Sequence, residues 1–338
     1  VQQEYIEIPQ AVTKSSYPLS DAQRRLWVLS QFEEGSSAYN MPSQVELDGS
    51  YDITNFEKAI LATIERHEIL RTVFQEDEIG EVRQVIRTSE ELDFKITQLD
   101  YSQENNTFEL AEDYITNDSY ESFDLENGPL LRASIIQVAK DQYIFYYNMH
   151  HIISDGWSME VLAKDVFSHY EAYQTNSAPS LIPLRIQYKD YSEWQLSQLE
   201  SSSLSSARSY WTEQFTGELP LLDLPSSRMR PKVKTHHGHN LGTYINATTS
   251  QQLKDFSHEN GGSLFMGVLA VWNVLMHRYT SESDIIIGTP VAGREHSDLS
   301  NQIGFYVNTL VLRNQVEEGD SLKSFYSRLK DNTLAGYG

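Results

Sequence analysis

A chain of 338 residues, 39% hydrophobic and 22% charged, is a folded polypeptide long enough to bury a substantial core, and its size suggests two lobes. Its 48 acidic against 26 basic residues leave a net charge of −22, which argues against a nucleic-acid partner, since that would need a basic face. It has no cysteine, which excludes a disulfide scaffold and is compatible with a reducing cytoplasm.

Val1 to Tyr5 lack a charged leader followed by an apolar stretch, so no signal peptide is expected. Ser20 stands three residues before Gln23, a capping-box pattern that opens a helix through Leu26 and Leu29. Acidic runs at Glu33-Glu34 and from Asp118 to Glu126 read as solvated surface. A strand is expected near Gln44–Leu47, followed by a second capping box, Thr54 with Glu57. That box opens a helix with Phe56, Ile60, Ile64 and His67 along one face, which reads His67 as a core or interface residue. Strands at Val82–Ile86 and Leu131–Val138 precede an aromatic and β-branched run, Tyr143 to Met149. A helix beginning near Ser158-Met159-Glu160 follows, with Leu162, Val166, Tyr170 and Tyr173 at helical spacing.

Asn176 to Pro183 breaks that pattern, as an inter-lobe connection would, and Ser197 to Ser209 has too little apolar surface for a core. The basic stretch Arg228 to Lys234 reads as a solvated loop. Ser263 opens a helix through Tyr279; its apolar part, Leu264 to Met276, is too short to span a bilayer and reads as buried. Strands at Asp284–Thr289 and Phe305–Arg313 and a helix at Leu322–Leu334 complete the second half, which repeats the first in outline. Strand alternation puts Tyr306, Asn308, Leu310 and Leu312 on one face; the Asn308 amide must then find partners in the core or line a cavity. These patterns alone reach a mixed α/β protein of two lobes.

The most informative stretch is His150-His151-Ile152-Ile153-Ser154-Asp155-Gly156, a short turn between a strand and a helix. α/β proteins commonly present reactive groups there. An imidazole titrates near neutral pH and suits acid–base work, and Asp155 can anchor the loop. Gly156 permits a backbone angle, or a ligand approach, that a Cβ would obstruct. A His–X–X–X–Asp match alone is weak evidence, because histidines in apolar surroundings are usually structural. The paired histidines, the glycine and the strand–loop–helix context strengthen it. With no cysteine and no His–Glu–X–X–His run, no metal site is expected.

His150 to Ser158 resembles the core signature of condensation domains from nonribosomal peptide synthetases. Ser20 to Leu29 resembles that family's opening motif, and Arg66 to Phe74 its second. Tyr188-Lys189-Asp190-Tyr191-Ser192-Glu193-Trp194-Gln195 is similar to the fourth, and Ile303 to Leu310 to the fifth. Their order, from about Tyr17 to Arg313, makes the resemblance specific. It implies an α/β fold of two chloramphenicol-acetyltransferase-like lobes, α+β two-layer sandwiches forming a V with a tunnel between them. The expected division is an upstream linker at 1–16, an N-terminal lobe at 17–176 and a C-terminal lobe at 177–338. That second lobe is expected to be incomplete, since family members continue beyond Gly338.

By the same resemblance the activity is amide formation between a donor aminoacyl or peptidyl thioester and the α-amine of an acceptor aminoacyl thioester. Both are carried on 4'-phosphopantetheine of partner proteins, and no cofactor is bound directly. The implied partners are upstream donor and downstream acceptor peptidyl carrier domains and an adjacent adenylation domain, in the cytoplasm, without membrane or nucleic acid. Carriers of this kind are often acidic, so the Arg228–Lys234 stretch is a second candidate for docking. His151 is the implied catalytic residue, as a base or as a group that orients the amine, with His150 supporting the loop. Asp155 is implied as an anchor for a cation, Arg278 first, with Arg71 and Arg294 as alternatives. The Gly156 N–H is a candidate oxyanion donor. Asn308 is implied near a tunnel wall, Trp194 in packing, and Arg25 with Trp27 at the lobe interface. The opening motif resembles the subtype joining L-configured donor and acceptor. The alternatives are an ester-forming or other His–X–X–X–Asp acyltransferase, and a recruitment domain of the same fold. The Asp-Phe-Gly-Trp-Gly motif of plant-type acyltransferases is absent, and recruitment domains typically lose the histidine pair that this chain keeps.

Overall fold

The computed structural model describes residues 7–32, 37–201, 204–226, 232, 238–239 and 241–337. Glu33-Glu34, Val1 to Tyr5 and all of Arg228–Lys234 except Lys232 lie outside the described residues. Two compact units separate: Val1–Ser202 with Ala292–Val307, and Ser203–Val291 with Asn308–Gly338.

The first unit opens with β1 (Tyr17–Pro18) and α1 (Asp21–Ser30). Ser20 caps α1 as its spacing predicts: Oγ accepts from the Gln23 N–H at 3.1 Å, and Gln23 Oε1 accepts from the Ser20 N–H at 3.1 Å. β2 (Asn40–Asp48) and α2 (Ile53–Arg66) follow. The second cap sits two residues before the expected one: Asp52, not Thr54, accepts from Asn55 N–H at 3.0 Å, so α2 starts earlier. Next come β3 (Thr72–Glu76), β4 (Val82–Ile86), a single turn α3 (Ser89–Leu92), β5 (Ile96–Asp100) and α4 (Thr107–Tyr120). β6 (Leu131–Ala139), β7 (Gln142–His150), α5 (Gly156–Thr175) and α6 (Tyr188–Glu200) complete the unit up to residue 202.

β1, β4 and β3 form a three-stranded antiparallel sheet, and β2-β7-β6-β5 a four-stranded one in which β5 and β6 pair in parallel and the rest antiparallel. β7 is interior to that sheet and buried on both faces, so it reads as a continuous apolar and aromatic run. Alternation sends Phe145, Tyr147 and Met149 into the main core with Phe56 and Ile60 of α2 and Val161, Leu162 and Val166 of α5. Ile144 and Tyr146 face the other way, with Ala111 of α4. The Asp118–Glu126 run is therefore not all solvated: Asp118, on α4, is buried, with Arg132 Nε at 2.7 Å, the Tyr146 hydroxyl at 2.7 Å and Asn148 Nδ2 at 3.1 Å. His67 is buried as expected, its Nε2 2.8 Å from Asp165 Oδ2.

Asn176 ends α5 in a left-handed conformation, φ 52°, so the expected break is present. The chain nevertheless stays with the first unit through α6, because Tyr188 is fully buried there, its hydroxyl 2.9 Å from Ser20 Oγ and 2.6 Å from the Phe305 carbonyl. The expected division after 176 therefore differs from the compact units, and residues 292–307 also return to the first. In the expected linker, Ile8 is buried and the Ala11 N–H donates to Asp190 Oδ1 at 2.7 Å.

The second unit comprises α7 (Ser205–Gln214), α8 (Ala247–Glu259), α9 (Leu264–Thr280), the antiparallel pair β8 (Asp284–Val291) and β9 (Asn308–Gln315), and α10 (Leu322–Tyr337). Its core gathers Met266, Leu269 and Ala270 of α9, Ile285, Leu312, and Phe325, Tyr326 and Leu329 of α10. α9 is capped by Ser263 as expected but is not buried all round: Phe265, Val268, Val271, Trp272 and Leu275 on its other face are exposed, Trp272 by 50%. Among the described residues no helix is long and apolar enough to cross a membrane.

Candidate active site

β7 ends at His150, one 3₁₀ turn covers His151–Ile153, and α5 begins at Gly156. The two rings do different things. His150 is 1% exposed, and its Nδ1 accepts the Ile152 N–H at 3.1 Å, closing the turn from within. Burial, with a smaller effect of His151, pushes its pKa down to about 3, so it is neutral near pH 7 and supports the loop rather than exchanging protons.

His151 is partly exposed, and its backbone N–H donates to the Tyr39 carbonyl at 2.8 Å. Its Nδ1 lies 2.7 Å from the Ser154 carbonyl oxygen. A carbonyl only accepts, so Nδ1 carries the proton and Nε2 keeps a lone pair in the neutral ring. The ring meets Phe305 edge-on, centroids 4.7 Å apart. Gln23 Nε2 donates to the Ile152 carbonyl at 3.2 Å, so the residue that completes the capping box of α1 also holds the loop.

Asp155 is 0% exposed and accepts from four donors. Oδ1 takes the Ser158 N–H at 2.8 Å, which caps α5, the Ser158 hydroxyl at 2.7 Å and Arg294 Nη2 at 3.0 Å; Oδ2 takes the Tyr306 N–H at 3.1 Å. The anchoring cation is therefore Arg294, not Arg278. Arg294, 2% exposed, also donates from Nη1 to the carbonyls of Leu299 at 2.6 Å and Gln302 at 2.7 Å, and lies 4.1 Å over the Tyr306 ring. Arg278 lies in the last turn of α9 in the second unit, beside Val274, His277 and Phe325 in a cavity of about 370 Å³. Arg71 is committed to its own neighbourhood, donating to the Arg87 carbonyl at 2.6 Å and lying 3.5 Å from Glu65.

Gly156 is exposed at the start of α5 without a left-handed backbone, and a Cβ there would meet no protein atom within 4 Å. No contact with the rest of the chain requires glycine there. As the first residue of a 20-residue helix, its N–H points with the positive end of the helix dipole. Trp194, half-buried, packs near Tyr191 and His296, centroids 6.2 and 6.3 Å away. Arg25 is exposed on α1, 3.4 Å from Asp21. Asn308 is not a core amide: it is exposed at the first residue of β9, and its Oδ1 accepts the Thr309 N–H at 2.9 Å. The alternation expected from Phe305 onward fails because 305–307 belong to the first unit and the strand starts at Asn308. Sequence reasoning missed the Ser158 hydroxyl and the Gly304 and Tyr306 backbone, which share the Asp155 network: Gly304 N–H donates to Ser158 Oγ at 3.0 Å. Ser158 was legible as part of the Asp-Gly-X-Ser run; the backbone donors carry no sequence signal.

A buried aspartate clamped by arginine anchors the turn that carries a partly exposed histidine between a strand and a helix. Residues 13–337 match the Condensation domain family, and the chain belongs to it. Bacitracin synthase 1 of Bacillus licheniformis is 38% identical over 325 residues, 96% of this chain and 6% of that protein. The chain thus spans a small fraction of the curated relatives it matches. The X-domain from teicoplanin biosynthesis shares the fold with a TM-score of 0.85 at 24% identity, covering 98% of this chain and 73% of that one. The first condensation domain of the calcium-dependent antibiotic synthetase does so with a TM-score of 0.77 at 21% identity, covering 96% and 75%. The mixed α/β class expected from the sequence is the one these structures have.

Proposed function

We propose that this chain joins two carrier-bound substrates by an amide bond. The acceptor's α-amine nitrogen attacks the donor's thioester carbonyl carbon; the C–S bond breaks, and the released thiolate takes up the proton lost by the amine. The donor acyl group thereby moves onto the acceptor, which stays on its own carrier. Both substrates arrive on phosphopantetheine arms of partner carrier domains, in a synthetase that also supplies an adenylation domain. His151, His150, Asp155 and Gly156 carry the site.

The observation that supports this reading most is the His151 tautomer. With Nδ1–H held by the Ser154 carbonyl, the Nε2 lone pair is free to accept a hydrogen from the amine. It orients the nucleophile, receives its proton as the C–N bond forms and passes that proton to the leaving thiolate. In this reading the Gly156 N–H, at the positive end of α5, stabilises negative charge developing on the thioester oxygen. Asp155 takes no proton; it fixes the backbone that holds His151 and Gly156. An amine and a hydroxyl acceptor need the same lone pair, so ester formation is the second reading of the same geometry.

The test is single-turnover product formation by mass, with donor- and acceptor-loaded carrier proteins and the domain in its full-length protein. Wild type should form the amide, and a His151→Ala variant with an unchanged melt should be slower by orders of magnitude. Equal rates would remove His151 from the reaction. No product from matched carriers would favour the recruitment role.

A further inference from the structure

The peptide unit between Phe305 and Tyr306 is gripped at both of its polar groups. Its N–H, that of Tyr306, donates to Asp155 Oδ2 at 3.1 Å, and its carbonyl, that of Phe305, accepts from the Tyr188 hydroxyl at 2.6 Å. Both partners are buried, and all of these residues belong to the first unit. A peptide plane bonded on both sides by buried groups is fixed, and with it the Cα from which the Phe305 ring projects. That ring is the one that meets His151 edge-on, centroids 4.7 Å apart.

The hydrogen-bond directions behind this grip follow from what each group can do. The Phe305 carbonyl only accepts, so Tyr188 directs its single proton there, and the Ser20 hydroxyl, 2.9 Å away, donates to the Tyr188 oxygen. Ser20 Oγ in turn accepts the Gln23 N–H, and Gln23 Nε2 donates to the Ile152 carbonyl. The contacts close a ring from His151 through Phe305, Tyr188, Ser20 and Gln23 to Ile152, the next residue of the loop. Burial holds the Tyr188 hydroxyl well above its ordinary pKa, so it stays a donor through the neutral range. The Tyr188 ring is seated on the same segment, since a Cβ on Gly304 would overlap it.

The hydrogen bond from His151 Nδ1 to the Ser154 carbonyl restrains the imidazole at one point, and the aromatic edge of Phe305 adds a second. We propose that Phe305 and Tyr188 are positioning residues for His151: the Tyr188 hydroxyl sets the Phe305 backbone, and the Phe305 ring sets the plane of the imidazole and so the direction of its Nε2. This rests on the amide-forming reading, in which that lone pair meets the acceptor amine.

The test uses Tyr188→Phe, which removes one hydroxyl and keeps the ring against Gly304, and Phe305→Leu, which keeps apolar bulk without an aromatic edge. Melts identify the folded variants. In single-turnover product formation with saturating carriers, Tyr188→Phe should be about ten-fold slower and Phe305→Leu about a hundred-fold slower, with half-saturating carrier concentrations within about two-fold of wild type. The double variant should be no slower than Phe305→Leu, because Tyr188 acts through Phe305. The His151 ring nitrogens, followed by NMR in the chain labelled on its histidine nitrogens and assigned by their loss in His151→Gln, report the tautomer apart from any activity. Wild type should show the Nδ1–H form, and each variant should move these signals towards the average of the two forms while leaving those of His150 in place. The proposal falls if the His151 signals stay put in both folded variants, if neither variant slows a reaction that His151→Ala does slow, or if the double variant loses the product of the two single losses. A His151→Ala variant as fast as wild type would end the amide-forming reading of His151, and the ring signals would still decide whether Phe305 and Tyr188 set the imidazole.

Discussion

Replacing Asp155 by alanine removes the acceptor of four hydrogen bonds and leaves Arg294, 2% exposed, without its carboxylate. Removing one partner of a buried pair costs about 3–5 kcal/mol. The same substitution deletes the N-cap of α5, worth about 1 kcal/mol. Together they set an expected loss of about 4–6 kcal/mol, a large part of the roughly 5–15 kcal/mol that stabilises a domain. Asp155→Asn keeps a capping oxygen and the shape of the site while removing the charge, and is expected to lose about half as much. Urea unfolding followed by tryptophan fluorescence gives both numbers. The double variant Asp155→Ala/Arg294→Met should be less destabilised than the sum of its singles by about 1–3 kcal/mol, because the arginine no longer has a charge to strand. A loss below about 1 kcal/mol for Asp155→Ala, or strict additivity in the cycle, would refute the clamp. Full stability with lost activity in Asp155→Asn would move the carboxylate into the chemistry.

Arg294→Lys retains charge but not the fork that reaches Leu299, Gln302 and Asp155 at once, so it should cost about 2 kcal/mol in the same urea assay. A Cβ on Gly304 would overlap the rings of Tyr188 and Tyr306, so Gly304→Ala should destabilise by about 1–3 kcal/mol and lower the melting temperature. Stability should also fall in acid. His150 has a folded pKa of about 3, below its usual 6.5, so the unfolded chain binds the extra proton. Its contribution is complete above about pH 6.5 and is lost as pH falls towards 3, reaching about 2–3 kcal/mol lost by about pH 4.5. His67, depressed chiefly by burial, acts in the same direction. Urea midpoints across that range should flatten in His150→Gln; an unchanged pH slope would count against neutral burial. Ser20→Ala should cost about 1 kcal/mol through the lost cap of α1, read by the same unfolding curve.

The histidine loop was legible because its signals are local: an aromatic strand, a turn with glycine, then helical spacing. Ser20 and Ser263 were legible for the same reason, since a cap acts three residues away. What failed was whatever depends on distant partners. Asp155 was expected to need a cation, but three arginines were available and no spacing says which comes near; the one that does is 139 residues away. Asp52 and Thr54 both precede suitable N3 residues, and only the backbone at Asp52 is extended as a cap requires. α9 looked buried because its run is apolar on every side, yet composition does not say how many faces a neighbour covers. The core reading of Asn308 failed because period-2 alternation was carried across a point where the chain changes unit. β3, β5 and α4 are short or mixed in sequence, so no apolar periodicity marks them out.

The return of residues 292–307 to the first unit has a consequence for how the chain is made. During synthesis the histidine loop emerges long before Arg294, and the whole segment from Ser203 to Val291 must follow before the crossover can arrive. Until then the Asp155 carboxylate is without its cation, and its bonds to Ser158 alone hold the start of α5. A nascent first unit therefore has its sheet and helices before it has its finished site. Completing the first unit therefore requires a contact across 139 residues, whose loop closure costs more chain entropy than the local contacts of its sheet and helices.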